Sequence, residues 1–172
     1  FEMGGYFEVG ELNKKEAVSL IYNFLVNELK IDSNKLWVTV FAGDEVYDHK
    51  FPKDNDVMEI WKNLLINKEH IVEFGKENNY WVQGGGAEIA IESKLCGSQT
   101  EIFFDLGKNN CKETNCLPNC SCGRFLEISN NLFITHKITG ELKVLPLSNK
   151  AIESVIGIER VAIVTEDKKS VY

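Results

Sequence analysis

The chain has 172 residues, of which 44% are hydrophobic, and this is enough to bury the core of one domain. The net charge is −7, which argues against broad nucleic-acid binding and leaves only local contacts with RNA. No apolar run approaches the roughly 18 residues of a membrane span and no targeting segment stands out, so we expect no membrane association.

Hydrophobic periodicity predicts helices and strands along the whole chain. Asn13, with Glu16 three residues later, forms a capping-box-like helix start. Residues 42–55 are polar and predict a long loop, whereas residues 88–91 look strand-like. Apolar spacing predicts helices over residues 14–30 and 57–65, and β-branched or aromatic runs predict strands over residues 36–41, 70–74, 124–135 and 142–147.

The strand predicted for residues 124–135 carries polar side chains on both faces. In strict alternation, Glu127 and Ser129 face one side and Asn130 faces the other. Burying an unpaired Glu127 would be costly. We therefore expect one face of this strand to line a wet, functional pocket.

The segment at residues 153–160 is predicted to open a helix, with Ser154 as its N-cap. Gly157 lets the backbone approach a ligand, and helix-start N–H groups favour an anion. Taken alone, the pattern is more often purely structural, with the charges of Glu159 and Arg160 solvated.

Of the five cysteines, Cys111, Cys116, Cys120 and Cys122 fall within one short stretch. Without a secretory signal we expect a reducing, cytoplasmic setting, in which such a cluster favours a metal over disulfides. Four thiolates would hold a structural Zn²⁺ and leave no open position for chemistry. Free or redox-active thiols and disulfides stay open as alternatives.

Several stretches, in the same order, resemble the catalytic domain of alanyl-tRNA synthetases, a class II family. The first is Phe1-Glu2-Met3, and the last two match the family's Glu-Ile-Trp-Asn and Asp-Thr-Gly-Met-Gly-Leu-Glu-Arg segments. The matching stretches are residues 1–10, 36–40, 79–81, 101–105, 127–130 and 153–160.

The resemblance implies an α/β (α+β) fold in which a mainly antiparallel sheet is flanked by helices. The chain would be part of the catalytic domain, residues 1–172 lacking motif 1 and the first half of motif 2, with a cysteine-rich insert at 108–123. The implied ATP-binding residues are Phe1, Met3, Glu127, Gly157 and Arg160, of which Glu127 and Arg160 are also catalytic.

The resemblance also implies that Trp81, Asn130 and Glu153 bind the amino acid, Trp81 as a wall of the pocket and Glu153 at the ammonium group. A cation beside an aromatic ring is favourable. The chain departs from the family where Glu153 replaces Asp, Val155 replaces Gly, and the two prolines of the family's Gly-Pro-Cys-Gly-Pro run are absent. These changes put strict selection of alanine in doubt.

The activity implied is activation of a small amino acid, most simply alanine, by ATP with Mg²⁺, followed by transfer to tRNA. Such a site works by positioning and by neutralising phosphate charge. Two other functions stay open: a ligase that loads a carrier other than tRNA, and an inactive paralogue that binds or regulates. A homodimer is also left open.

Overall fold

A computed structural model describes residues 1–65, 67–85, 93–107, 111 and 113–166 of the protein. The predicted segment at residues 88–91 lies outside them. No helix among the described residues is long and apolar enough to cross a membrane. The helices and strands are, in order, β1 (Met3–Gly10), α1 (Lys14–Asn23), β2 (Leu36–Phe41), β3 (Asp44–Val46), β4 (His49–Phe51), α2 (Asn55–Leu64), β5 (Ile71–Phe74), α3 (Lys76–Asn79), β6 (Tyr80–Val82), β7 (Lys94–Asp105), β8 (Phe125–Ile138), β9 (Val144–Gly157) and α4 (Ile158–Thr165).

The centre of the fold is a seven-stranded sheet in the order β1-β9-β8-β7-β2-β5, with β6 paired to β7. All neighbouring strands are antiparallel except β2 and β5, which are parallel. The predicted architecture, a mainly antiparallel sheet flanked by helices, is confirmed.

Helices α1, α2 and α4 cover one face of this sheet and form the main core with it. Their apolar stripes join Ile102, Phe133 and Ile152 of the central strands in one buried cluster. Trp61 of α2 is 0% exposed, and its Nε1–H donates to Thr100 Oγ1 at 2.8 Å. The opposite face carries half-buried polar side chains, which is where a ligand would find partners.

The predicted capping box at the start of α1 is confirmed. Asn13 Oδ1 accepts from the backbone N–H of Glu16 at 3.1 Å, and Asn13 Nδ2 donates to Glu16 Oε2 at 2.7 Å. The helical path continues past Asn23 as a π-helical turn, Phe24–Glu28. Helix α2 begins likewise at a cap, since Asp54 Oδ1 accepts from Val57 N–H.

Two local predictions are wrong. Residues 42–55 contain the small hairpin β3–β4 instead of a plain loop. Ser154 is not a helix N-cap, because β9 pairs with β8 on one side and β1 on the other as far as Gly157, and α4 begins at Ile158. The buried Ser154 hydroxyl donates to Asn131 Oδ1 at 2.6 Å within the sheet.

Candidate active site

The residues predicted to bind ATP line one cleft at the open face of the sheet. The cleft has a volume of about 200 Å³. The start of β1, the middle of β8, the end of β9 and the first turn of α4 meet there. Its lining includes Phe1, Met3, Glu127, Asn130, Val155, Gly157 and Arg160.

A β-bulge places Glu127 and Asn130 together. On β7, Ile102 pairs with Ser129 and the next residue, Phe103, pairs with Glu127. Ile128 therefore has no partner on β7, and its side chain lies in the core under the helices. The extra residue reverses the alternation. Asn130 Nδ2 consequently donates to Glu127 Oε1 at 3.3 Å, and the prediction that these two side chains face opposite sides is wrong.

Arg160 reaches from the first turn of α4 back over β8. Its Nη1 donates to Glu127 Oε2 at 2.8 Å and to the Glu127 backbone carbonyl at 3.0 Å. A Cβ at Gly157 would come within 3.2 Å of Arg160 Cδ, so the glycine makes room for this path. An ion pair this exposed adds little stability, but it fixes where the guanidinium lies.

The start of β1 is tied to the start of α4. The backbone N–H of Glu2 donates to both carboxylate oxygens of Glu159, at 2.9 and 3.1 Å, and Ile158 N–H donates to the Glu2 carbonyl at 3.1 Å. Hydrogen bonds from its own backbone N–H and from that of Glu2 hold the pKa of Glu159 below its usual range. The charges of Glu159 and Arg160 are therefore engaged and not merely solvated.

This tie holds Phe1 opposite Arg160. The Phe1 ring centroid lies 6.0 Å from Arg160 Cζ, and Phe1 is 88% exposed. A planar base stacked between the two needs a gap of about 7 Å, which is two contacts of about 3.5 Å. Because Phe1 is almost fully exposed, nothing among the described residues blocks an outward shift of its ring by about 1 Å, which would admit a base.

Glu101 is a site residue that the sequence analysis did not single out. It lies on β7 opposite Asn130 of β8, and Gln99 Nε2 and Thr39 Oγ1 donate to its two carboxylate oxygens at 3.0 and 3.2 Å. Burial, and then the nearby charge of Glu127, raise the pKa of Glu101 to about 8. The available signal was that Gln99 and Glu101 are polar residues two positions apart, which places both side chains on one face of the strand.

Trp81 does not line the cleft of Glu127 and Arg160. It lies on β6 and packs against the small apolar cluster of Leu132, Ile134 and Ala151. Glu153, which is half-buried, is the register partner of Leu132 on β9, and Asn130 is two residues before Leu132. Trp81 and Glu153 thus lie next to the cleft and not within it, whereas Asn130 lines it.

Val155 places a branched side chain in the cleft beside Asn130, its partner on β8. On the other side it meets Gly5 of β1, where an added Cβ would lie 2.9 Å from Val155 Cγ1 and 2.1 Å from the Ser154 carbonyl. The two strands approach closely because Gly5 has no side chain. Val155 therefore takes up space that the family's glycine would leave to a ligand.

The four clustered cysteines meet in the connection between β7 and β8. Their sulfur atoms all lie within 4.8 Å of one another, with Cys111–Cys120 at 3.8 Å and Cys116–Cys122 at 3.5 Å. Tetrahedral zinc with bonds of about 2.3 Å needs sulfurs about 3.8 Å apart, whereas a disulfide needs about 2.05 Å. The donor set and spacing therefore fit a four-thiolate metal site.

Arg124 links this cluster to the start of β8. Its backbone N–H donates to Cys122 Sγ at 3.5 Å and lowers the pKa of that thiol to about 7. The guanidinium forms a forked ion pair with Asp105 at the end of β7 and lies over the Phe125 ring, with Cζ 4.5 Å from the centroid. The cluster, β7 and β8 are joined through this one residue, by its backbone N–H on one side and its guanidinium on the other.

The mainly antiparallel sheet flanked by helices has the architecture of the class II aminoacyl-tRNA synthetase catalytic domain. The family model for class II (A) tRNA synthetases matches residues 1–172. The chain therefore belongs to the class II alanyl-tRNA synthetase family.

Bacterial relatives agree with this assignment. The chain is similar to the alanine–tRNA ligase of Treponema denticola, with 37% identity over 174 residues, covering 100% of this chain and 27% of that protein. It is 35% identical over 179 residues to the alanine–tRNA ligase of Leptospira biflexa, covering 100% of this chain and 18% of that protein. The chain thus spans about a quarter or less of the length of these relatives.

Proposed function

We propose that the protein activates alanine with ATP and transfers it to tRNA. The observation that carries this proposal is the cleft at the open face of the sheet, where the Phe1 ring and the Arg160 guanidinium face each other beside the carboxylate of Glu127. Relatives named alanine–tRNA ligase match the chain over its full length.

In this proposal the adenine of ATP stacks between Phe1 and Arg160, and the Met3 backbone bonds the base edge. The side-chain-free Gly157 lets the nucleotide approach the end of β9. The phosphates extend towards Glu127 and Glu101. Mg²⁺, when bound with ATP, neutralises phosphate charge there, and carboxylates of this kind are its usual protein ligands.

The amino acid lies beside the nucleotide, with its ammonium group at Glu153 and with Asn130 and Trp81 as neighbours. Val155 takes up part of this space, which limits the side chain to a small one. A carboxylate and an aromatic face together favour a small ammonium-bearing ligand. Alanine, glycine and serine are therefore the substrates to compare.

Activation needs no protein nucleophile. A carboxylate oxygen of the amino acid attacks the α-phosphorus of ATP, and the bond to the bridging oxygen breaks as pyrophosphate leaves. In the second step a hydroxyl oxygen of the acceptor attacks the carbonyl carbon, AMP leaves, and the hydroxyl proton goes to a phosphate oxygen of AMP. Arg160 contributes by positioning ATP.

The test is amino-acid-dependent ATP–pyrophosphate exchange by the full-length protein. We expect exchange with alanine, and a loss of about 100-fold or more in Arg160→Ala, because a positioned charged donor is removed. Lys62→Ala, on the solvent side of α2, is the control and should exchange normally. Absence of exchange with alanine, glycine and serine would contradict the proposal and favour a binding or regulatory module. Exchange without charging of tRNA would favour the ligase that loads another carrier.

We also propose that Cys111, Cys116, Cys120 and Cys122 hold one structural Zn²⁺. Metal analysis of the purified protein should find about one zinc per chain, the stoichiometry of a four-cysteine site. Cys116→Ser should lose the zinc and Ser121→Ala, in the same loop, should keep it. Zinc-free wild-type protein with unchanged folding would contradict the proposal and favour free or redox-active thiols. A cytoplasmic location and a homodimer stay predictions.

A further inference from the structure

Val155 is held in place by the strands on both sides of it. It lies opposite Gly5 of β1 and Asn130 of β8, and its backbone carbonyl accepts from Ser129 Oγ at 2.7 Å. Its Cγ1 lies over Gly5, where an added Cβ would come within 2.9 Å of it. A β-branched side chain in a strand has few rotamers. The two methyl groups are therefore a fixed apolar part of the cleft wall.

The position of Val155 on β9 is midway between the two ends of the candidate site. Glu153, Val155 and Gly157 are two residues apart, so they share one face of the strand at spacings of about 7 Å. In the proposed function the ammonium group of the amino acid lies at Glu153 and the nucleotide lies at Gly157. An amino acid whose carboxylate reaches the nucleotide must then lie over Val155. This placement rests on the proposed function.

Asn130 supplies a polar group on the other side of the same space. Its Nδ2 donates to Glu127 Oε1 at 3.3 Å, whereas its Oδ1 is buried and accepts from no group among the described residues. A buried acceptor without a donor is costly, so this oxygen is available to a ligand. Glu153 and Asn130 are diagonal neighbours on β9 and β8. An ammonium group has three N–H donors and can bond both, which leaves the side chain of the amino acid against Val155.

We infer that Val155 is a specificity-determining residue that rejects serine when the amino acid is activated. The methyl group of alanine makes an apolar contact with the Val155 side chain. The hydroxyl group of serine, at the same place, loses its water and meets only methyl groups, and an unpaired buried hydroxyl is costly. A hydrophobic pocket rejects an analogue that merely adds a hydroxyl by about 100-fold, so we expect selection of that size here.

Val155 departs from the family, in which this position is a glycine. A glycine leaves room for water or for a hydroxyl group beside the amino acid. Val155 closes that room with carbon atoms. The departure therefore tightens selection between alanine and serine, whereas the sequence by itself suggests only that selection is altered.

The first test measures selectivity by ATP–pyrophosphate exchange in the full-length protein. The ratio of kcat/KM for alanine to that for serine is taken within each variant, so a loss of folded protein cancels. We expect a ratio of about 100 in the wild type. Val155→Thr replaces one methyl group by a hydroxyl group at nearly the same shape, and it should lower the ratio about tenfold because serine gains a hydrogen-bond partner.

Two further substitutions and one control complete the series. Val155→Gly should also lower the alanine-to-serine ratio, because water then reaches the hydroxyl group. Val155→Ile adds one methylene group and should lower the use of alanine relative to glycine by about tenfold. Ile156→Val, at the next position on the opposite face of β9, changes the core and not the cleft, so its ratios should equal those of the wild type.

An unchanged alanine-to-serine ratio in both Val155→Thr and Val155→Gly would overturn the role of Val155. A wild type that uses serine and alanine equally well would also overturn it. A changed preference between ATP and 2′-deoxy-ATP, with the amino-acid ratio unchanged, would overturn it too, because Val155 would then face the nucleotide.

A second measurement does not depend on catalysis. Calorimetry gives the binding of unreactive aminoacyl sulfamoyl adenosines, which are analogues of the adenylate that carry alanine or serine. The wild type should bind the alanyl analogue about 100-fold more tightly, and Val155→Thr should narrow this difference about tenfold. An unchanged difference would overturn the role of Val155. If the wild type shows no exchange, the proposed function fails, and these binding ratios still decide on Val155.

Discussion

Replacing Glu101 by glutamine should make the stability of the protein less dependent on pH. The pKa of Glu101 in the folded protein is about 8, against an ordinary value of 4.5, because the carboxyl is buried beside Glu127. Between these pH values the folded protein holds a proton that the unfolded chain has lost. The free energy of unfolding therefore falls as pH rises from about 4.5 to about 8.

The size of this effect follows from the pKa difference. One pKa unit corresponds to about 1.4 kcal/mol, so the loss has a ceiling of about 5 kcal/mol. Because Glu101 keeps partial contact with solvent, screening reduces this to about 2 kcal/mol. Glutamine keeps one acceptor oxygen, so it preserves one of the two hydrogen bonds donated by Thr39 and Gln99. It carries no charge at any pH, so the variant should not show this pH-dependent loss of stability.

Calorimetric unfolding at pH 5.5 and pH 8.5 measures the difference. About two thirds of the loss, roughly 1.3 kcal/mol, falls between these two pH values, and for a protein of this size it moves the unfolding midpoint by about 3–5 °C. The midpoint of the wild type should drop by about that amount more than the midpoint of Glu101→Gln. Glu8→Gln, an exposed change on the edge strand β1, is the matched control. Equal pH dependence of the wild type and Glu101→Gln would refute the reasoning.

Two further predictions concern the connection between β7 and β8. Arg124→Lys should lower the free energy of unfolding by about 2 kcal/mol, because lysine cannot form the forked ion pair with Asp105. Thermal unfolding measures this loss. An unchanged midpoint would show that the forked pair is not needed for stability. Removing zinc from the wild type with a chelator should lower the unfolding midpoint and slow ATP–pyrophosphate exchange. The chelator should have no further effect on Cys116→Ser. Equal effects on the wild type and on Cys116→Ser would mean that the chelator acts elsewhere.

Much of the fold follows from local patterns. The capping box of Asn13 and Glu16, the apolar stripes of α1 and α2 and the aromatic strand β2 depend on side chains near each other in sequence, and these predictions hold. The end of β9 does not follow from its sequence. Ser154 has the residue type of a helix cap, but pairing with β1 and β8 keeps it in the sheet.

The family and the types of residue at the candidate site were readable from the sequence, because each motif is a short run in a recognisable order. Only the tertiary structure decided how these residues meet. The bulge at Ile128 places Glu127 beside Asn130. The two-residue alternation of a regular strand does not predict where such an extra residue occurs. The raised pKa of Glu101 depends on burial and on a carboxylate of another strand. Burial and cross-strand distance are properties of the folded chain, whereas hydrophobic period and motif order are properties of the sequence.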